Sequence, residues 1–459
     1  MKTHITHNQI FFSTGVWILV LVLCFFPVPY GYAESNSTLH IGYADVDITP
    51  ELGVTMPGYF TERRASGMLD PLLAKALVLK KENTTLAIVA LDLIGVQAPL
   101  VEAIRAAIED KTGIPPEHIF LHATHTHTGA TVSEIEEPLP AQVAAAVQQA
   151  LENCVAESTV TYGCGQERRI AFIRRYLMKD GSVRTNPGRA NPDVVRPIGE
   201  IDPDVHIITF NDAKTALVSY GLHLDCIGGT LFSADYPYHL TQTMKTKSGN
   251  EWNVIYLNAC CGNVNHINVN DPDQRSGYDE SRKIGTRLAE TALNAQKEAK
   301  PIAIDGIAAR CETVQSPVRT VKAEDYEWAK QEMQRDPEEA NKRKFNERTP
   351  ARIIALAETQ EEFHPAEIIA LRIGPLAIVG MPAEVFVEVG RDIKTHSIFD
   401  PTLTIGLTGG SMGYQPHPRG YDEGGYEATY GSARHAPATP ILWSDAAGRL
   451  LLELHNGAQ

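Results

Sequence analysis

The chain has 459 residues, a formal charge of −15 and an ordinary globular balance of 43% hydrophobic and 21% charged residues. Such an acidic balance excludes nucleic acid as a partner, because phosphates are neutralised by basic side chains. The length excludes a minimal scaffold and allows one elaborate domain or two intimately joined halves.

The N-terminus reads as a targeting segment. Lys2 precedes an uninterrupted apolar run at 15–26 (GVWILVLVLCFF), Pro27 and Pro29 break it, and Gly31 and Ala33 offer small residues for cleavage. This is the pattern of a secretory signal peptide, and the run is short for a membrane span. Residues 1–33 are therefore expected to be removed, leaving a domain over 34–459 that is periplasmic or extracellular. Beyond Cys24, six cysteines remain at 154, 164, 226, 260, 261 and 311. An oxidising compartment permits bridges. Cys154 and Cys164 flank a turn and form the local candidate pair, with buried free thiols as the alternative reading.

Buried-strand runs then alternate with amphipathic helices, which predicts an α/β fold of mixed, largely parallel sheets with flanking helices. Residues 85–93 (TLAIVALDL) are almost continuously apolar, as a strand covered on both faces must be. A helix follows over 99–110, stopped by Gly113, and 118–122 (HIFLH) completes a βαβ unit with parallel strands. Further strands are predicted at 216–222, 253–257, 370–373, 376–379 and 403–407, with helices at 140–153 and 277–299. Residues 320–350 are highly charged and read as a helical surface insertion, and no internal repeat is visible.

Polar residues gather at the ends of these strands. His125 and His127 lie in ATHTHTGA, just past the second strand of the βαβ unit; in an extended segment, residues two apart face one side. His223 (YGLHLD), Asp92, the stretch 258–265 (NACCGNVN) and Glu384 (GMPAEVF, with Pro382 expected to open a helix) follow other strands. A glycine-rich stretch leads to Tyr414, Tyr421 and Tyr426. Open α/β sheets bind ligands at this edge. Two or three histidines with one carboxylate suit zinc, which activates a bound water and polarises a carbonyl. Asp92 reads equally well as a loop cap, and Glu427 competes with Glu384 as the carboxylate.

At these residues the chain resembles the neutral ceramidase family, zinc-dependent amidases that cleave the N-acyl bond of ceramide. The opening IGYADVDITP at 41–50, Gly58-Tyr59, and HTHTG at 125–129 carry the likeness, which continues through Tyr430. The resemblance implies a zinc held by His125, His223, Glu384 and Tyr421. It also implies that Arg174 (IRRY) and Tyr430 (TYGS) stabilise an oxyanion and that His127 acts as an acid–base partner. One departure stands out: the family's Gly-Asp-Val-Ser-Pro motif, with its active-site serine, is replaced here by Gly262-Asn263-Val264-Asn265-His266. The second departure is one of length: the chain is also expected to lack the family's carboxyl-terminal β-sandwich.

An exported zinc hydrolase of N-acyl or related acyl bonds is therefore expected. Its substrate is a small molecule or lipid, and any membrane contact is made only through that substrate. Asn263 and Asn265 stand as candidate substrate-binding residues, since amides both donate and accept. Two alternatives remain at this point: a zinc hydrolase of polar carbohydrate-derived or small ester substrates, and a non-catalytic binding protein on the same scaffold.

Overall fold

Strands that are apolar on both faces need cover on both sides, and this chain supplies it three times over. The computed structural model describes residues 37–59, 61–335 and 350–457. The first sheet holds β1 (Leu39–Asp47), β2 (Leu73–Lys81), β3 (Thr84–Leu91), β4 (Ile119–Ala123) and β5 (Val155–Glu157) in the order β4-β3-β2-β1-β5. Its helices are α1 (Ala98–Thr112) and α2 (Leu139–Glu152). The second sheet holds β6 (Val160–Gln166), β7 (Asp204–Phe210), β8 (Thr215–Tyr220), β9 (Asn253–Asn258) and β10 (Lys300–Ile302) in the order β9-β8-β7-β6-β10. Here α3 (Tyr236–Ser248) and α4 (Tyr278–Lys297) are the helices. The third holds β11 (Ile307–Pro317), β12 (Phe363–Ile373), β13 (Leu376–Gly380) and β14 (Thr402–Ile405) in that order, with α5 (Val387–His396) and α6 (Thr439–Asn456).

The three sheets share one topology. In each, three consecutive strands form an antiparallel meander, and a helix then crosses over to a fourth strand lying parallel to the third. A second helix follows the fourth strand in every case. No repeat of residues marks this recurrence, which lies in topology and burial alone. The largely parallel sheets expected from the βαβ signal are mostly antiparallel, with one parallel pair per sheet.

Alternation along the strands builds the core. Leu77 and Leu79 of β2, Ile208 of β7, and Leu376 and Ile378 of β13 meet in one central cluster fed by all three sheets. Their neighbours Ala76 and Val78, Val205 and Ile207, and Ala377 and Val379 face outward under the helices of their own sheet. Period-two alternation thus divides the buried residues of the central strands between two dry layers. Burying each such Leu, Ile or Val contributes roughly 1.5–3 kcal/mol, so this layered core dominates the favourable side of folding.

Gly113 ends α1 as expected, with φ of 73° and its N–H on the Glu109 carbonyl. All six described cysteines are free. Cys154 and Cys164 do not bridge, because they precede β5 and sit within β6, in two different sheets. Of the charged insertion, the helices Ala323–Arg335 and Pro350–Glu358 are described. The signal-peptide expectation falls outside the described residues, among which no helix is long and apolar enough to cross a membrane.

Candidate metal centre

The third strand of each meander points its carboxyl end at the same place. Loops after β3, β4, β8, β9, β13 and β14 are tied together there by backbone and side-chain bonds. Asn258, at the end of β9, donates from Nδ2 to the Thr124 carbonyl and accepts from the Leu222 N–H, joining the His125 and His223 loops. Glu384–Val385 pairs in parallel with Tyr414–Gln415, with Glu384 opposite Tyr414. Glu384 therefore enters on a short strand and not on a helix as the sequence suggested; the helix begins at Val387. Gly262 permits this closeness, since a Cβ there would stand 2.3 Å from the Glu384 carbonyl oxygen.

His125 is turned inward by a left-handed backbone, with φ of 80°. For a non-glycine residue that conformation costs of order 1–3 kcal/mol and persists only where the surroundings enforce it. Here the His125 N–H is held by the Leu93 carbonyl, and Nδ1 lies 2.7 Å from the Ile94 carbonyl. A carbonyl oxygen can only accept, so Nδ1 carries the hydrogen and Nε2 presents a lone pair. The same logic applies to His223, whose Nδ1 faces the Cys261 carbonyl at 3.3 Å.

Those two Nε2 atoms are 3.0 Å apart. Glu384 Oε2 stands 3.1 Å from the first and 3.3 Å from the second. Two lone pairs and a carboxylate oxygen aimed at one point repel each other unless a cation lies between them. Tetrahedral zinc with ligand bonds of about 2.0–2.1 Å requires neighbouring donors roughly 3.3 Å apart, so the donor set fits. Electrostatics say the same. Burial works to raise the Glu384 carboxyl and to lower His125, yet the pairing wins: Glu384 is held well below the ordinary carboxylate range and His125 is raised. The site demands positive charge.

Tyr414 stands beside these donors. Its ring lies parallel to His223 at 6.5 Å between centroids, and burial, together with Glu384, pushes its hydroxyl well above the ordinary phenol range against the pull of Arg174. Tyr426 meets the Tyr414 ring edge-on at 5.6 Å. Tyr421 is elsewhere: its hydroxyl donates to the His435 carbonyl and accepts from Gln415 Nε2. Tyr430 is at a different place again, donating to Asp325 and lying under Arg319. Neither Tyr421 nor Tyr430, the tyrosines expected at the metal, has its hydroxyl directed at the histidine pair. The parallel pairing at Glu384, a contact between distant segments, selects Tyr414.

Arg174 borders the cluster, with Nη1 3.3 Å from His223 Nε2 and Nη2 donating to the Gly262 carbonyl. Its Nε is clamped by Glu427, which is fully buried and also accepts from Thr185. Glu427 is thus an anchor for Arg174 and no rival to Glu384. Asp92 accepts from the Leu73 N–H and Thr124 Oγ1, which makes it a loop cap. His127 stands with Nε2 3.4 Å from His125 Nε2 and Nδ1 buried without a partner. Burial first, then His125 and His223, push it down to about 3, so it is neutral at physiological pH.

Asn263 and Asn265 do not offer free amides to a ligand. Asn263 accepts from the Val387 N–H and donates to Glu388, while Asn265 donates to Asn186 and accepts from the Ile267 N–H. Both are fully buried, and they lock loops together.

No protein-family model matches the sequence, and no curated protein matches it. Solved structures do. The neutral ceramidase from Pseudomonas aeruginosa superposes with a TM-score of 0.73 at 18% identity, covering 92% of this chain and 75% of that one. A ceramidase complexed with C2 gives 0.71 at 16% identity, covering 92% of this chain and 76% of that one. At such identities the likeness is one of architecture, and the chain has the neutral ceramidase fold.

Proposed function

We propose that the chain is a zinc-dependent hydrolase of acyl bonds, with an N-acyl amide as its substrate. The observation that carries this is the convergence of the His125 and His223 lone pairs with the Glu384 carboxylate, backed by tautomers fixed through backbone carbonyls. His125, His223, Glu384 and Tyr414 are the residues that would hold the metal. A zinc ion there would supply an activated water and Lewis-acid polarisation of the scissile carbonyl.

The remaining groups supply the rest. Arg174, fixed in orientation by Glu427, presents N–H donors where negative charge grows on the carbonyl oxygen. The Tyr426 hydroxyl is the second candidate donor, since its ring lies against Tyr414. His127, with Nε2 3.4 Å from His125 Nε2, is the candidate acid–base partner for the leaving amine. Position 265 cannot provide an attacking side chain, because Asn265 is an amide, so the nucleophile at this centre is water.

The amide preference draws on the ceramidases among the solved neighbours and on the fixed Arg174 donor. Ceramide and short N-acyl amino alcohols are the substrates to assay. Zinc-dependent release of free fatty acid, lost on chelation and in His223→Ala, is the expected result. Zinc binding without any N-acyl cleavage would overturn the amide assignment, and hydrolysis that survives chelation would overturn the metal.

A further inference from the structure

Next to the metal cluster, two side chains on the loop between Val264–Asn265 and α4 meet Asp225, on the loop after His223, in an arrangement that the zinc chemistry leaves unused. Asp225 Oδ1 lies 3.0 Å from His266 Nδ1, and His266 Nε2 lies 3.2 Å from Ser276 Oγ. We propose that Ser276, His266 and Asp225 form a nucleophilic acyl-transfer centre that hydrolyses small esters without a metal.

The roles follow from the atoms. A carboxylate on Nδ1 fixes the tautomer with hydrogen at that nitrogen, leaving the Nε2 lone pair to accept from the serine hydroxyl. His266 is buried, Asp225 is largely so, and Ser276 is exposed, so the base is held rigidly while the nucleophile is reachable. Backbone geometry supports the same arrangement. The Gly277 N–H is bound to the Cys226 carbonyl, which pins Ser276 beside the Asp225 loop. Helix α4 starts at Tyr278 with no side-chain cap at Gly277, so its first N–H groups point out beside Ser276.

Arg189 provides an independent observation. Its Nη2 is 3.5 Å from Ser276 Oγ, and its Nε is buried without a partner. A guanidinium beside the nucleophile is a device that stabilises an oxyanion. The adjoining cavity of about 700 Å³ is open and lined by Asp271, Asp273, Gln274, Tyr278 and Lys283. That polar, acid-rich wall favours short neutral or cationic acyl groups over anionic ones.

The step balances. Ser276 Oγ bonds to the acyl carbon as its proton passes to His266 Nε2, and Asp225 stabilises the resulting imidazolium. The carbon–oxygen bond to the alcohol then breaks, and the leaving alkoxide takes that proton. Water repeats the sequence on the acyl-serine and releases the acid.

The test uses the full chain with a chelator present, so it is indifferent to whether zinc binds at His125 and His223. A fluorophosphonate serves as label, with peptide mapping of the adduct, and p-nitrophenyl acetate serves as substrate. The account expects one adduct, on Ser276, and a fall of about a hundredfold or more in ester hydrolysis for Ser276→Ala. His266→Gln should slow labelling comparably, while circular dichroism and the thermal melt report an intact fold. Labelling spread over several serines, no adduct at Ser276, or a labelling rate unchanged in His266→Gln would each overturn the proposal.

Discussion

Among the described residues, two clusters bring potential metal-binding side chains together, and they differ in where their positive charge comes from. Cys164, Asp204 and His206 offer ligand atoms as close together as those of His125, His127 and His223. In the first cluster the chain supplies its own cation: Lys394 Nζ lies 2.8 Å from Asp202, 3.0 Å from Asp204 and 3.3 Å from His206 Nε2. In the second, no lysine enters. At its edge Arg174 is already held by Glu427 and the Gly262 carbonyl, and Arg63 by the Pro57 and His127 carbonyls. Counting ligand-type residues therefore does not identify a metal site; counting charge and directed lone pairs does.

The largest effect expected from this contrast is on zinc affinity. His223→Ala or Glu384→Ala should lower it by at least about a hundredfold, the scale at which even supporting residues of a metal site act, whereas His206→Gln should leave it unchanged. Isothermal titration with zinc separates the two. Retained affinity in His223→Ala would break the comparison.

Next comes the buried clamp. Removing the carboxylate in Glu427→Ala strands the Arg174 guanidinium inside the protein, for which a loss of about 3–5 kcal/mol is expected. Denaturant unfolding measures it, and a loss below 1 kcal/mol would show that Arg174 finds another partner.

Smaller still is the effect at the self-neutralised cluster. Burial raises the Asp204 carboxyl, but Lys394 outweighs it, so Asp204 in the fold lies below its ordinary value. A depressed carboxylate stabilises the fold above its unfolded pKa, and that contribution disappears as pH falls through the folded value. Lys394→Met should therefore cost about 1–2 kcal/mol near neutrality. The gap to the native chain should close below about pH 4. Thermal melts across pH read this out, and a gap that widens on acidification would contradict it.

The smallest effect sharpens the tyrosine assignment. Tyr421→Phe removes a hydroxyl that serves His435 and Gln415, for about 1 kcal/mol of stability and no change in zinc binding. Tyr414→Phe should do the opposite, weakening zinc at little cost in stability.

Much of this was legible beforehand. Continuous apolar runs such as 85–93 and 376–379 announce doubly covered strands, and a polar residue just past such a run announces the site edge; His125, His223 and Glu384 were found this way. The threefold meander was not legible, because topology repeats here without residue identity. The tyrosines were not distinguishable either, since Tyr414, Tyr421 and Tyr426 lie within one short stretch and only the pairing with Glu384 sets Tyr414 apart. Asn263 and Asn265 looked like ligand contacts because an amide's partners are invisible until the fold supplies Glu388 and Asn186. The Arg174–Glu427 clamp and the Ser276–His266–Asp225 line join segments far apart in the chain, and no local pattern announces either.

Zinc stoichiometry of the purified chain, measured beside His223→Ala and His206→Gln, tests the central claim most directly. The account predicts about one zinc per chain, lost in the first variant and kept in the second. Zinc that survives His223→Ala, or that departs with His206→Gln, would contradict it.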